Sequence, residues 1–327
     1  MQSTILNNIF SVNEQNFCQL ANDCFRFQFQ HNPIYQQWCT LLGLKQTNIA
    51  QEITNIPFLP ISFFKTHSIV TTEFTARVIF ESSGTTNTIN SKHLVKDISI
   101  YEQSFLNAFH QFYGDASEWC ILGLLPSYLE RNNSSLVVMV DRLIKLSNHP
   151  KSGFYLHNIA DLATVLQALE SIKQPTLLIG VTYALLDFAE QYSFQLQHTT
   201  IMETGGMKGR RRELVRNEVH DILKSKWGVN AIHSEYGMTE LLSQAYSRGN
   251  GRFECPPWMK VVVRDEEDPL TVKPFGRGIL NIIDLANIYS CCFIATEDAG
   301  IVYEDGSFEV LGRVDNSDIR GCSLMVS

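Results

Sequence analysis

Thr176-Leu177-Leu178-Ile179-Gly180-Val181 is an apolar run of strand length, preceded by Pro175 and followed by a helical pattern over residues 183–192. Apolar at alternate positions on both faces, it reads as a strand buried in the middle of a sheet. The same alternation continues outward on either side. Upstream, a helical stretch over Ile98–Tyr113 precedes a buried-strand run at 120–125, a helix at 135–146, a short strand at 154–156 and a helix at 162–172. Downstream come a strand at 198–203, a helix at 209–227 and a strand at 229–234. Strands alternating with helices over short connections predict an α/β sheet with crossover helices.

The flanks read differently. Residues 1–55 form a helical segment, with apolar positions at helical spacing in Phe17, Leu20, Cys24 and Phe25 and again in Trp38, Leu41 and Leu42. The α/β core spans 56–250. A β-rich portion of the same large domain follows over 251–316, with strands at 261–263, 278–283 and 308–311, and residues 317–327 form a tail that carries Cys322. Arg264-Asp265-Glu266-Glu267-Asp268 reads as a solvated hairpin tip. At 327 residues and 44% hydrophobic composition the chain can bury a large core. A net charge of −8 argues against a general nucleic-acid binder. No secretory signal opens the chain and no run approaches the ~18 apolar residues of a transmembrane segment, so a cytoplasmic protein is expected. The eight cysteines include no C-x-x-C pair, which excludes a zinc ribbon or a thioredoxin-type motif.

Five segments carry chemistry-bearing residue types. Ser82, Ser83, Gly84, Thr85 and Thr86 follow the apolar run at 76–80, and their hydroxyls and backbone N–H groups suit a phosphate cradle as well as a surface turn. Glu203-Thr204-Gly205-Gly206 ends a strand, where ligands of open α/β sheets bind. Tyr236-Gly237-Met238-Thr239-Glu240 offers a ring, a hydroxyl and a carboxylate at another strand end; its plainer reading is a helix start capped by Thr239. Asp298, placed at a turn between two strand-like runs, and Arg313 can bind a ribose, or serve as a turn residue and a surface ion-pair partner.

In this order, Ser82–Thr86, Tyr236–Glu240, Thr296-Glu297-Asp298 and Gly312-Arg313-Val314-Asp315 resemble the ATP-binding motifs of adenylate-forming enzymes. Ile56-Pro57-Phe58-Leu59-Pro60, the stretch 203–211 and Asp318-Ile319-Arg320-Gly321-Cys322 resemble the LuxE-like acyl-protein synthetases of the bacterial bioluminescence fatty-acid reductase system. The resemblance runs from about residue 55 to the C-terminus. It implies the large N-terminal domain of adenylate-forming enzymes, layered α/β sheets plus a β-rich C-terminal portion, without the usual small C-terminal domain. It implies ATP and Mg²⁺ as cofactors. Ser82, Ser83, Gly84, Thr85 and Thr86 would take the phosphates, while Gly205, Gly206, Tyr236 and Gly237 would frame the adenine. Thr239 would meet the α-phosphate, Glu240 the Mg²⁺, and Asp298 and Arg313 the ribose. Cys322 would accept the acyl group from a carboxylic acid, expected to be fatty, and hand it to an acyl reductase or a carrier or condensing protein.

Two departures stand out. Asn87 replaces the last glycine of the phosphate loop, and Asn tolerates left-handed backbone better than most residues. The sequence also runs only twelve residues past Asp315, the hinge position of the full-length enzymes. Direct ligation to CoA or a carrier thiol, with Cys322 structural, is the alternative reading. A non-catalytic subunit that keeps the fold to bind a partner is a third.

Overall fold

The computed structural model describes residues 2–44, 52–82, 89–126, 130–205 and 214–314. Helices α1 (Gln2–Asn8), α2 (Phe17–His31) and α3 (Pro33–Leu41) come first. Asn32 starts α3, its side chain accepting the Tyr35 N–H at 3.0 Å. Pro33 occupies the first turn, where a missing N–H is no loss. A short strand β1 (Leu59–Pro60), helix α4 (Phe63–Thr66) and the antiparallel pair β2 (Val78–Glu81) and β3 (Lys92–Val95) follow.

The alternating region then runs α5 (Ile98–Tyr113), β4 (Cys120–Leu124), α6 (Ser135–Ser147), β5 (Gly153–Phe154), α7 (Ile159–Ser171), β6 (Thr176–Val181), α8 (Thr182–Gln191), β7 (Thr199–Thr204), α9 (Arg216–Trp227), β8 (His233–Tyr236) and β9 (Ala245–Ser247). Its sheet has the order β5-β4-β6-β7-β8-β9. All neighbours are parallel except β8 and β9. Strands β4 and β6 are buried at every position, with helices on the sheet's faces, which is why each is a continuous apolar run. Parallel pairing brings the carboxyl ends of β7 and β8 side by side, with Thr204 opposite Glu235.

The second sheet contains β10 (Arg252–Phe253), β11 (Met259–Arg264), β12 (Val272–Lys273), β13 (Gly276–Asp284), β14 (Phe293–Val302) and β15 (Phe308–Arg313). Its order is β10-β15-β14-β13-β11-β12, antiparallel throughout, and β1 joins β14 in parallel. A bridge between Tyr246 and Glu254 ties it to the first sheet. Helices α2 and α3 pack on this second sheet. Phe25, Tyr35 and Phe58 surround Phe293 with ring centroids 6.1 to 6.4 Å away. The buried Gln28 amide donates to the carbonyls of Asn287 and Ile288 and accepts the Cys292 N–H at 2.9 Å. Cys291 and Cys292 are buried among these apolar side chains. No helix among the described residues is long and apolar enough to cross a membrane.

Four readings of the sequence are corrected. Asp298 lies inside the ten-residue strand β14, not at a turn. Arg264 is the last residue of β11, not part of a hairpin tip; its guanidinium donates to Asn281 Oδ1 at 2.6 Å and to the Leu280 carbonyl. The strand expected over 229–234 begins only at His233 and runs to Tyr236. Residues 239 and 240 form a turn, so the helix start capped by Thr239 is not formed.

Candidate active site

The carboxyl ends of β7 and β8 open onto a cavity of about 140 Å³, whose lining includes Thr204, Gly205, Gly237, Met238 and Thr239. Gly205 has φ +73°, a left-handed conformation that favours glycine. Its carbonyl accepts the Thr182 hydroxyl, anchoring the end of β7 to the start of α8. On β8, Tyr236 turns toward the second sheet, and its hydroxyl donates to Asp298 Oδ2 at 2.8 Å. Arg313 of β15, placed opposite Asp298 by strand register, approaches the other carboxylate oxygen at 3.4 Å. The arginine is largely exposed, so this pair orients more than it stabilises.

Residues 237–240 are held from behind. The buried His93 ring lies 2.9 Å from the Thr239 carbonyl through Nδ1. A carbonyl only accepts, so Nδ1 carries the proton. Burial lowers the His93 pKa to about 4, keeping the ring neutral near pH 7. Asn287 donates to the Glu240 carbonyl at 2.7 Å. Two residues on, the buried Asp284 carboxylate accepts the Leu242 and Ser243 N–H groups and the Ser243 hydroxyl. Ser91 and Ser82 close the base of the hydroxyl-rich segment, the Ser91 N–H donating to Ser82 Oγ at 2.9 Å.

Three carboxyls here are electrostatically distinct. Burial raises the pKa of Glu240, opposed by a hydrogen bond from Ser91 and by the charges of Arg313 and Lys65. Burial also pushes Glu235 up to about 7, with the nearby Glu203 adding to the rise and a hydrogen bond from Thr204 opposing it. For Glu203 burial acts upward too, but the His220 hydrogen bond and the Arg216 charge prevail and hold it below the usual range. Glu235 lines the cavity, and a carboxyl perturbed by burial in a cleft is a candidate for a functional site.

Of the residues singled out from sequence, Ser82, Gly205, Tyr236, Gly237, Thr239, Glu240, Asp298 and Arg313 come together around this edge. Ser83, Gly84, Thr85, Thr86, Gly206 and Cys322 lie outside the described residues. The cavity lining also includes Ser134, Glu235 and Gln244. His233 contacts Tyr113 at 3.1 Å. Glu235 and Gln244 received no role from sequence. The available signal for Glu235 was strand alternation, which puts it on the face opposite Tyr236.

Two layered sheets meeting over a strand-edge cleft of this kind define the fold of adenylate-forming ligases. Among solved structures, 2-hydroxyisobutyryl-CoA ligase in the postadenylation state, in complex with R3-HIB-AMP, superimposes with a TM-score of 0.62 at 11% identity, covering 94% of this chain and 70% of that one. ATP-bound MatB from Rhodopseudomonas palustris gives a TM-score of 0.54 at 15% identity and covers 74% of this chain; the alignment spans about half of MatB, 49%. The family model of the acyl-protein synthetase, LuxE matches residues 8–327, and the chain belongs to that family. Long-chain-fatty-acid–luciferin-component ligases of Vibrio harveyi and Aliivibrio fischeri are 23% and 24% identical to it. Each alignment covers 94% of this chain, and 86% and 87% of the respective relative.

Proposed function

We propose that this protein uses ATP to activate a carboxylic acid as acyl-AMP, loads the acyl group on its own Cys322 and passes it to a partner protein. The observation that carries the reading is the convergence of sequence-distant groups on one edge. Tyr236, Asp298 and Arg313 are linked side by side, and Glu240 lies within reach of the Arg313 charge and the Ser91 hydroxyl.

In this reading a carboxylate oxygen attacks the α-phosphorus, the bond to the β-phosphate breaks, and pyrophosphate leaves. Ser82 and the adjoining Ser83, Gly84, Thr85 and Thr86 hold the phosphates, and Thr239 donates to the α-phosphate. Gly205, Gly206, Gly237 and Tyr236 frame the adenine, while Asp298 and Arg313 hold the ribose. A buried carboxyl with a raised pKa is one that a cation stabilises, so Glu240 fits a Mg²⁺ shared with phosphate oxygens. Such an ion would supply positive charge against the phosphates. The Cys322 sulfur then gives up its proton, attacks the acyl carbonyl and forms a thioester as AMP leaves. An ordinary thiol has a pKa of about 8.5, and the neighbouring Arg320 would favour the thiolate. The family match extends through residue 327 and therefore includes Cys322.

The direct test is acid-dependent exchange between ATP and pyrophosphate. Thr239→Val should lower it by roughly 10²-fold, the usual loss for one donor to developing charge. Exchange at the wild-type rate in the variant would remove this turn from the reaction.

A further inference from the structure

The turn at residues 239 and 240 belongs to neither a helix nor a strand, so its backbone groups have no ladder partners. Buried side chains bond them instead. Asp284, at the end of β13, and Asn287, just beyond it, reach this segment from the second sheet. Asn287 takes the Glu240 carbonyl, and Asp284 the N–H groups of Leu242 and Ser243. His93 comes from the other direction, on β3, and meets the Thr239 carbonyl across 146 positions of sequence.

Strands β2 and β3 form a sheet of their own. Ser82 and Ser91 close its end, the Ser82 N–H donating to the Ser91 carbonyl at 3.1 Å and the Ser91 N–H to Ser82 Oγ. Ser91 and His93 are two positions apart and so face the same way. They are 2% and 1% exposed. Ser91 bonds the Glu240 carboxyl, and His93 the Thr239 carbonyl. One face of this arm thus grips both residues of the turn. An apolar side chain would fill the space beside Phe64 and Phe80 without the cost of burying an imidazole. The imidazole is tolerated because its Nδ1–H has an acceptor, and that acceptor lies on the turn rather than on a neighbouring strand.

Resting on the activation reading above, we propose that His93 is a positioning residue for acyl-AMP formation. Its Nδ1–H sets the Thr239–Glu240 turn against the Ser82 arm, so that the groups assigned to the phosphates and to Mg²⁺ keep one spacing. His93 acts through the Thr239 carbonyl rather than on the substrates. A displacement of about 1 Å at such a turn is enough to slow a reaction ~10²-fold.

The test measures fatty-acid-dependent pyrophosphate release in three variants. His93→Leu fills the space of the ring but has no donor, and kcat should fall by ~10-fold or more while the KM for ATP moves little. An asparagine amide nitrogen takes the place of Nδ1, a glutamine one that of Nε2. His93→Asn should therefore recover most of the loss, and His93→Gln should not. Rates are taken well below each variant's thermal unfolding midpoint, where a residue that only supports the core changes neither constant. A wild-type kcat in His93→Leu, or equal rates in the Asn and Gln variants, overturns the inference and leaves acid activation standing. Isotope-edited NMR spectra of the histidine-labelled wild type, with the His93 signal assigned by its loss in His93→Leu, read the tie without turnover. A proton on Nδ1 upholds it, and a proton on Nε2 alone overturns it. If the wild type releases no pyrophosphate over a series of fatty acids, the activation reading fails, and this spectrum decides the tie by itself.

Discussion

Tyr236 joins the two sheets at the point where the ribose is proposed to sit. Its hydroxyl donates to Asp298, and the buried, hydrogen-bonded ring keeps its pKa far above the usual tyrosine value. Removing that donor frees the carboxylate to turn. Tyr236→Phe should raise the KM for ATP by ~10-fold, in keeping with a lost hydrogen bond to a charged group, while kcat changes less; steady-state kinetics at varied ATP checks this split. Glu235 gives a prediction about pH. Its folded pKa of about 7 lies above the ordinary 4.5, so the folded chain holds this proton more tightly than the unfolded one. The stabilisation is complete below pH ~4.5 and is lost as pH rises through ~7. Its size is on the order of 3 kcal/mol. Asp284, raised by burial to about 6, acts in the same sense. The thermal midpoint should therefore fall between pH 5 and 7.5, and Glu235→Gln should remove several degrees of that fall while Asp284 keeps the rest. An equal fall in both proteins would mean that Glu235 is ionised well below pH 7.

Strands β14 and β15 carry Asp298 and Arg313 into register, and their pairing shifts at Ala299 and Gly300. A Cβ on Gly300 would collide with the Glu309 carbonyl and come within 2.7 Å of Leu280 Cδ2. Gly300→Ala should therefore cost about 1–3 kcal/mol, read as a lower urea midpoint, and raise the KM for ATP as the strands part; an unchanged midpoint would show that the pairing yields freely. The same elements show what a sequence can reveal. Helix α5 was legible to its boundaries because its apolar residues recur at helical spacing, and β6 because burial on both faces removes polar residues. Strand β14 was not, since Thr296, Glu297 and Asp298 interrupt its apolar run in the manner of a turn. Their polarity answers to partners distant in sequence: Asp298 meets Tyr236, 62 positions away, and Thr296 Oγ1 donates to the Leu280 carbonyl. Glu235 was hidden for the same reason, its Thr204 partner being 31 positions away.

At the scale of the whole molecule, the N-terminal helices and the second sheet share one core through Gln28 and the rings around Phe293. The first sheet meets the second through Tyr236 and Asp298. The candidate site thus draws on sequence-distant parts of the chain, and the cavity at the ends of β7 and β8 could not be read from sequence. The central claim is that acid activation ends in a thioester on Cys322. Its most direct measurement is the intact mass of wild type and Cys322→Ser after incubation with ATP, Mg²⁺ and fatty acids. The account predicts an acyl adduct on wild type that is absent from the variant, while the variant still releases pyrophosphate. An adduct of equal yield on Cys322→Ser, or pyrophosphate release with no adduct on either protein, would contradict it.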